Sequence, residues 1–261
     1  MWRATRTPDG PATIRLDISE AVVDARAWGA GAGWVMDRID LFVGAHDVST
    51  LVPRHAAVKE LQRRLIGLRI GASHAVLEAL VPAILEQKVT SHEAHESYRR
   101  LVYALGEPAP GPTKLRVPPA PDMLAAQPYW VFHRFGIERK RADVIKAVCS
   151  RASRLEECVD LAGDAAFRRL TYFTGVGPWT AAEVAARAFG DPDAVSVGDF
   201  HLPHLVAWAL AGEPRADDAR MLELLEPYRG QRGRVIRLIE SGVARRPRRA
   251  PRQRIRSIEA I

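Results

Sequence analysis

The sequence predicts a mainly α-helical chain with a small α+β subdomain at its N-terminus. Three observations lead there. Apolar residues recur at helical spacing from about residue 73 onward. The segment ATIRLDI (12–18) instead alternates apolar and polar, as a half-buried strand does. Prolines cluster between the periodic segments, with six in 106–121 and others at Pro214 and Pro227.

Taken in order, residues 12–18 form the expected strand. Trp28-Gly29-Ala30-Gly31-Ala32-Gly33 reads as a loop. Its glycines resemble a phosphate loop but lack a strand-to-helix context. Arg38 to Val43 is a short apolar element. Val76, Leu77, Leu80, Val81, Ile84 and Leu85 mark one helix face, and Ser91 to Leu105 continues in the same manner. The proline-rich stretch is a connector. Further helices are expected at 122–127, 139–151, 164–173, 178–189, 200–211, 216–226 and 230–241. No internal repeat is visible.

Composition narrows the class. Hydrophobic residues make up 47% and charged residues 26%, as in an ordinary globular protein. No apolar run is long enough to span a bilayer, and the N-terminus lacks the apolar core of a secretory signal, so a cytoplasmic location is expected. Cys149 and Cys158 are too few for a disulfide framework or a four-thiolate iron–sulfur cluster, and read as small helix residues. The net charge is +7, but seven arginines lie within 245–256, so 7 − 7 leaves the body neutral. Such a tail grips phosphates without reading sequence.

The informative stretch runs from Leu170 to Leu205. Gly175-Val176-Gly177 falls between two helical patterns, with Pro178 at a first helical position. Glycines there permit positive φ, and the following helix start offers free N–H groups to a phosphate. A plain tight turn is the competing reading. Asp199 lies 22 residues after Gly177 and precedes an apolar-faced helix. It suits an N-cap; it equally suits a carboxylate that stabilises positive charge on a sugar and orients a water.

The hairpin, the Trp179-Thr180-Ala181 that follows and Gly198-Asp199 together resemble the helix-hairpin-helix Gly/Pro-Asp signature of base-excision DNA glycosylases. Val81 to Thr90 is similar to a helix end of the bacterial alkyladenine glycosylase group, as are Gly136 to Ile145, with Arg139-Lys140-Arg141-Ala142, and Glu226-Pro227-Tyr228-Arg229. The resemblance covers about 75–240. It implies a two-lobed helical fold over 73–243, a reduced N-terminal subdomain over 1–72 and a basic tail over 244–261.

The resemblance also implies roles. Asp199 is the catalytic aspartate, and the amides of Gly175, Gly177 and Trp179 hold a phosphate beside the lesion. The carbonyls of Thr171, Phe173 and Val176 hold a structural monovalent or divalent cation; no other cofactor is needed. Gln87 and Lys88 meet DNA, with Lys88 where the family plugs the gap left by a flipped base. Trp179 stands where strand-nicking relatives carry a Schiff-base lysine, which implies a monofunctional enzyme; its ring suits stacking on an alkylated base. Glu183 replaces a frequent aromatic in the base pocket. His201 matches the oxoguanine-type position that contacts phosphate. The expected partner is double-stranded DNA with damaged bases, met by a monomer in a bacterial nucleoid. Alkylated purines are the expected substrate; oxidised purines and hypoxanthine are alternatives, as is a non-catalytic hairpin DNA binder.

Two other constellations are weaker. Asp199, His201 and His204, or His92 and His95, lack the spacing of a metalloprotease site. Tyr129-Trp130-Val131-Phe132 reads as core between lobes rather than a stacking platform.

Overall fold

A computed structural model describes residues 1–19, 22–161 and 163–242. The arginine-rich stretch 245–256 lies outside the described residues. The chain is mainly helical, with a three-stranded antiparallel sheet at its N-terminus.

The sheet comprises β1 (Trp2–Thr7), β2 (Gly10–Ile18) and β3 (Val23–Trp28), in that order. β2 is the strand expected at 12–18, and it buries Ala12, Ile14 and Leu16. β1 escaped the periodicity because its inward positions include Thr5 and Thr7, which are buried but polar. β3 is an edge strand that buries little. Two short helices, α1 (Ala32–Met36) and α2 (Ile39–Val43), cover the sheet, with Val35 in the small core.

The glycines of residues 29–33 serve packing. A Cβ on Gly29 would lie 2.3 Å from the Pro11 carbonyl, and one on Gly31 would lie 2.2 Å from Thr7 Oγ1. The loop does run from β3 into α1, the strand-to-helix context that the sequence did not show, but it is tightly backed by the sheet rather than opened around a phosphate.

Two larger cores follow. The first is built by α4 (Val76–Leu85), α5 (Ser91–Leu105), α6 (Pro121–Ala126), α7 (Trp130–His133), α8 (Arg139–Cys149), α9 (Ala152–Glu156), α10 (Gly163–Thr171) and α11 (Pro178–Val184). Leu80, Ile84, Leu85, Leu101, Phe132, Ile145 and Leu170 fill it. The second is built by α3 (Ala56–Arg64), α12 (Leu202–Ala211), α13 (Asp218–Leu225) and α14 (Arg232–Gly242) around Val58, Leu61, Val206, Met221, Leu225, Val235 and Ile239. The N-terminal segment 1–72 is thus divided. Its first part forms the sheet unit, while α3 packs with α12 and α14 because Val58 and Leu61 complete their apolar face.

Single polar residues tie the units together. Glu78 on α4 accepts from Arg3 Nη2 at 2.8 Å, Thr5 Oγ1 at 2.7 Å and the Arg6 amide at 2.7 Å, docking β1 on the first core. Glu156 caps α4 from a distance, its two oxygens taking the Val76 and Leu77 amides at 2.8 and 2.9 Å. Those are orphan donors of a helix start that Ala75 cannot satisfy. Cys149 and Cys158 are both buried and unpaired, and burial pushes the Cys149 thiol up to about 12.

The helix expected at 178–189 divides at its end. α11 passes into one wider π-turn, Ala185–Phe189, closed by Gly190 at φ +65°. The incoming backbone meets this turn: the Ser73 and His74 amides donate to the Arg187 and Ala188 carbonyls at 3.1 and 3.0 Å. Tyr129-Trp130-Val131-Phe132 also divides. Phe132 is core, whereas Trp130 is 60% exposed.

Asp47 fixes the segment before α3 to α14. It ion-pairs with Arg234, whose side chain is 3% exposed, and accepts the Ile70 amide at 2.8 Å. Burial pushes the Asp47 carboxyl up, but the Arg234 and Ile70 hydrogen bonds and the guanidinium charge bring it below its ordinary value of 3.8. Its contribution is therefore complete above 3.8 and lost as pH falls through the lower folded value. Asp47→Asn leaves a buried guanidinium without its counter-charge and should cost about 3 kcal/mol in denaturant melts at pH 7. The gap to the parent should narrow in melts taken toward pH 3.

Candidate active site

The site lies where the two larger cores meet. α10 ends at Thr171, and residues 172–177 turn the chain into α11. Gly175 sits at φ +94°, and a Cβ there would come 2.4 Å from Val144 Cγ2. Both facts require glycine. Gly177 differs from expectation: its backbone is extended at φ −95°, so no positive φ demands glycine there. A Cβ at Gly177 would meet nothing within 4 Å, and the approach to this backbone is open.

Among the described residues, the amides of Gly175, Gly177 and Trp179 donate to no other residue. They are the orphan donors of a helix start, next to the positive end of its dipole. The carbonyls of Thr171 and Val176 accept no hydrogen bond from a described residue, and that of Phe173 accepts the Val176 amide at 2.9 Å. The Thr171 and Val176 oxygens thus keep unused acceptor capacity among the described residues.

Gln87 touches the hairpin directly. Its Nε2 donates to the Gly175 carbonyl at 2.8 Å and to Thr180 Oγ1 at 2.9 Å, so it braces the hairpin from the end of α4. The next residue, Lys88, is exposed and held at φ +57°. A lysine in the left-handed region is strained by about 1 kcal/mol or more, and such strain clusters at functional sites. Arg141 reinforces the geometry, donating from α8 to the Leu85 carbonyl at 2.8 Å.

Asp199 is the N-cap that its sequence suits. Its Oδ1 accepts the His201 and Leu202 amides at 2.7 and 2.8 Å, capping α12. Its Oδ2 accepts the indole N–H of Trp179 at 3.1 Å. The carboxylate is only partly buried and lies beside the hairpin helix. Trp179 therefore orients the aspartate. His201 gives its amide to Asp199, while its exposed ring meets Phe200 edge-on at 4.9 Å between centroids.

Glu183 is engaged on both oxygens, by Ser196 Oγ at 2.5 Å and Arg187 Nη2 at 2.7 Å. It joins α11 to the loop that carries Asp199. Arg187 also reaches Glu86 at 3.4 Å. Glu240 on α14 faces the same region. Surrounding protein raises its carboxyl above the ordinary 4.5, Arg237 opposes this, and Glu183 and Asp199 add to it.

The loop before Asp199 is anchored to the second core. Asp193 pairs with Arg232 at 2.5 Å and takes its amide at 2.9 Å. Gly233 lets α14 approach, since a Cβ there would lie 2.7 Å from the Ala194 carbonyl. Asp218 Oδ2 accepts the Gly198 amide at 3.0 Å, with Gly198 at φ +92°. Sequence reasoning missed Ser196, Arg187, Glu86, Glu240 and Asp218. Only the Glu183–Arg187 pair carried a local signal, its i, i+4 spacing. Asp218→Ala should speed hydrogen exchange at the Gly198 amide at least tenfold, while Asp218→Asn, which keeps an acceptor oxygen, should stay near the parent; NMR exchange rates check this.

No protein-family model matches the chain. A stretch of 141 residues, 52% of the chain, is 30% identical to a probable bifunctional transcriptional activator/DNA repair enzyme AlkA of Mycobacterium tuberculosis. The match spans only 28% of that relative's length. Among solved structures, a 3-methyladenine DNA glycosylase from Archaeoglobus fulgidus superposes with a TM-score of 0.75 at 19% identity, covering 91% of this chain and 85% of the other. An 8-oxoguanine glycosylase/lyase of Clostridium acetobutylicum, in complex with double-stranded DNA, gives 0.71 at 15% identity, covering 91% and 86%. The Schizosaccharomyces pombe 3-methyladenine glycosylase Mag1, bound to abasic DNA, gives 0.57 at 16% identity, covering 76% and 94%. The chain has the two-lobed helix-hairpin-helix fold of the DNA glycosylases.

Proposed function

We propose that the chain is a monofunctional DNA glycosylase that removes alkylated purines from duplex DNA, with Asp199 as its catalytic carboxylate. The observation that carries this reading is the setting of Asp199. It is partly exposed, oriented on both oxygens, and beside a hairpin whose amides at Gly175, Gly177 and Trp179 have no protein partner. A phosphate on those amides would bring the neighbouring nucleotide to the carboxylate.

In this reading the damaged nucleotide is turned out of the helix, at a cost of a few kcal/mol that a weakened base pair lowers. As the C1′–N bond breaks, its electron pair leaves with the base, and positive charge develops on the sugar. Asp199 stabilises that charge electrostatically. Water forms the new C1′–O bond and gives its proton to the carboxylate. Lys88, exposed just after α4, would fill the space the base vacates. The carbonyls of Thr171, Phe173 and Val176 would hold a monovalent or divalent cation, which would stiffen the turn. Trp179 offers no amine for a Schiff base, so the product is an abasic site in an unbroken strand.

The charge beside Asp199 supports an alkylated purine. Asp199, Glu183, Glu86 and Glu240 are set against Arg187 and Arg237. N-alkylation leaves the base cationic, and a net negative surround favours it over a neutral base. Asp199→Asn should lower single-turnover release of N7-methylguanine by about 10²–10³-fold while duplex binding persists. The parent should break the strand only after alkali, and should release 8-oxoguanine and hypoxanthine more slowly. Equal release by the Asn variant, or strand breaks without alkali, contradicts the reading.

A further inference from the structure

A groove of about 480 Å³ lies on the second core. Leu65, Gly67 and Leu68 form its apolar wall, and Arg64, Arg69, Arg237 and Ser241 line it with donors. Three guanidiniums in one groove repel each other unless something balances them. The carboxylates near Arg64 and Arg69 are engaged elsewhere, Glu60 by Arg63 and Asp47 by Arg234. Arg64 Nη1 reaches the Gly242 carbonyl at 3.5 Å, and Arg69 Nη1 reaches the Ile66 and Leu68 carbonyls at 3.3 Å each. Among the described residues, the carboxylate paired with any of the three is Glu240, 3.8 Å from Arg237. Most of their donors therefore face solvent.

The position of the groove matters as much as its charge. Arg237 and Ser241 stand one turn apart on α14, next to Glu240, whose carboxylate lies within electrostatic reach of Asp199 and Glu183. Arg237 thus belongs both to the groove and to the charges around Glu240. The chain leaves it at Gly242, and the first of seven further arginines follows at Arg245. Basic sequence continues from basic groove.

We propose that this groove is a second phosphate-binding face, one that holds the sugar-phosphate backbone of duplex DNA beyond the lesion nucleotide. The planar guanidiniums suit bidentate contact with phosphate oxygens, and the apolar wall suits the sugar edge. The proposal rests on the reading of the chain as a DNA enzyme, but its test does not require catalysis.

The test uses the full chain and an undamaged duplex. Arg64→Gln, Arg69→Gln and Arg237→Gln are combined, and affinity is followed across salt concentration. Loss of three phosphate contacts should reduce the slope of log K against log salt by about 2–3, and weaken binding evenly across duplex sequences. The matching triple lysine variant should keep most of the slope, because charge rather than shape dominates this term. A glutamine variant with the parent's slope and affinity overturns the proposal. Loss of binding to single-stranded RNA, with duplex binding unchanged, overturns it too. No base release by the parent, with the slope still reduced in the glutamine variant, would refute the glycosylase reading and leave the groove standing.

Discussion

The hydrogen bond from Trp179 to Asp199 joins two separately built halves of the molecule. Trp179 belongs to α11, which packs into the first helical core. Asp199 leads into α12, which packs into the second. Neither core alone fixes the carboxylate. The helix cap holds one oxygen and the indole holds the other, so the orientation of the group reports how the halves sit together. A carboxylate kept in this way loses little freedom when a substrate arrives.

Around this contact the protein uses short polar ties rather than added apolar area. Glu183 reaches Ser196 across the same junction, Asp193 and Asp218 hold the loop from behind, and Gln87 braces the hairpin from α4. Each tie satisfies a backbone or side-chain group that would otherwise be left unpaired near the interior. Among the described residues, the hairpin amides of Gly175, Gly177 and Trp179 remain without a protein partner. In the proposed function a DNA phosphate would take them.

Much of this was legible in the sequence, and the limits are physical. Helical periodicity marked α4, α5 and α8 because each buries a continuous apolar face. It missed β1, whose buried positions are threonines, and it missed that α3 belongs with α12 and α14, since a helix face does not name its partner. Gly175 was readable as a turn glycine, whereas the reason for Gly177 was not, because its backbone is extended. Asp199 and Trp179 were visible as separate candidates 20 residues apart; their hydrogen bond depends on how the two cores pack. Asp218 gave no signal at all, since its partner is a backbone amide in a distant loop.

The coupling of Trp179 to Asp199 is measurable in a double-mutant cycle on single-turnover base release. Trp179→Phe removes the N–H and keeps most of the ring. If the indole acts through the carboxylate, that change should slow the parent severalfold and leave the Asp199→Asn background almost unaltered. An equal slowing in both backgrounds would mean that Trp179 serves the reaction by another route, and that Asp199 is not the group it positions.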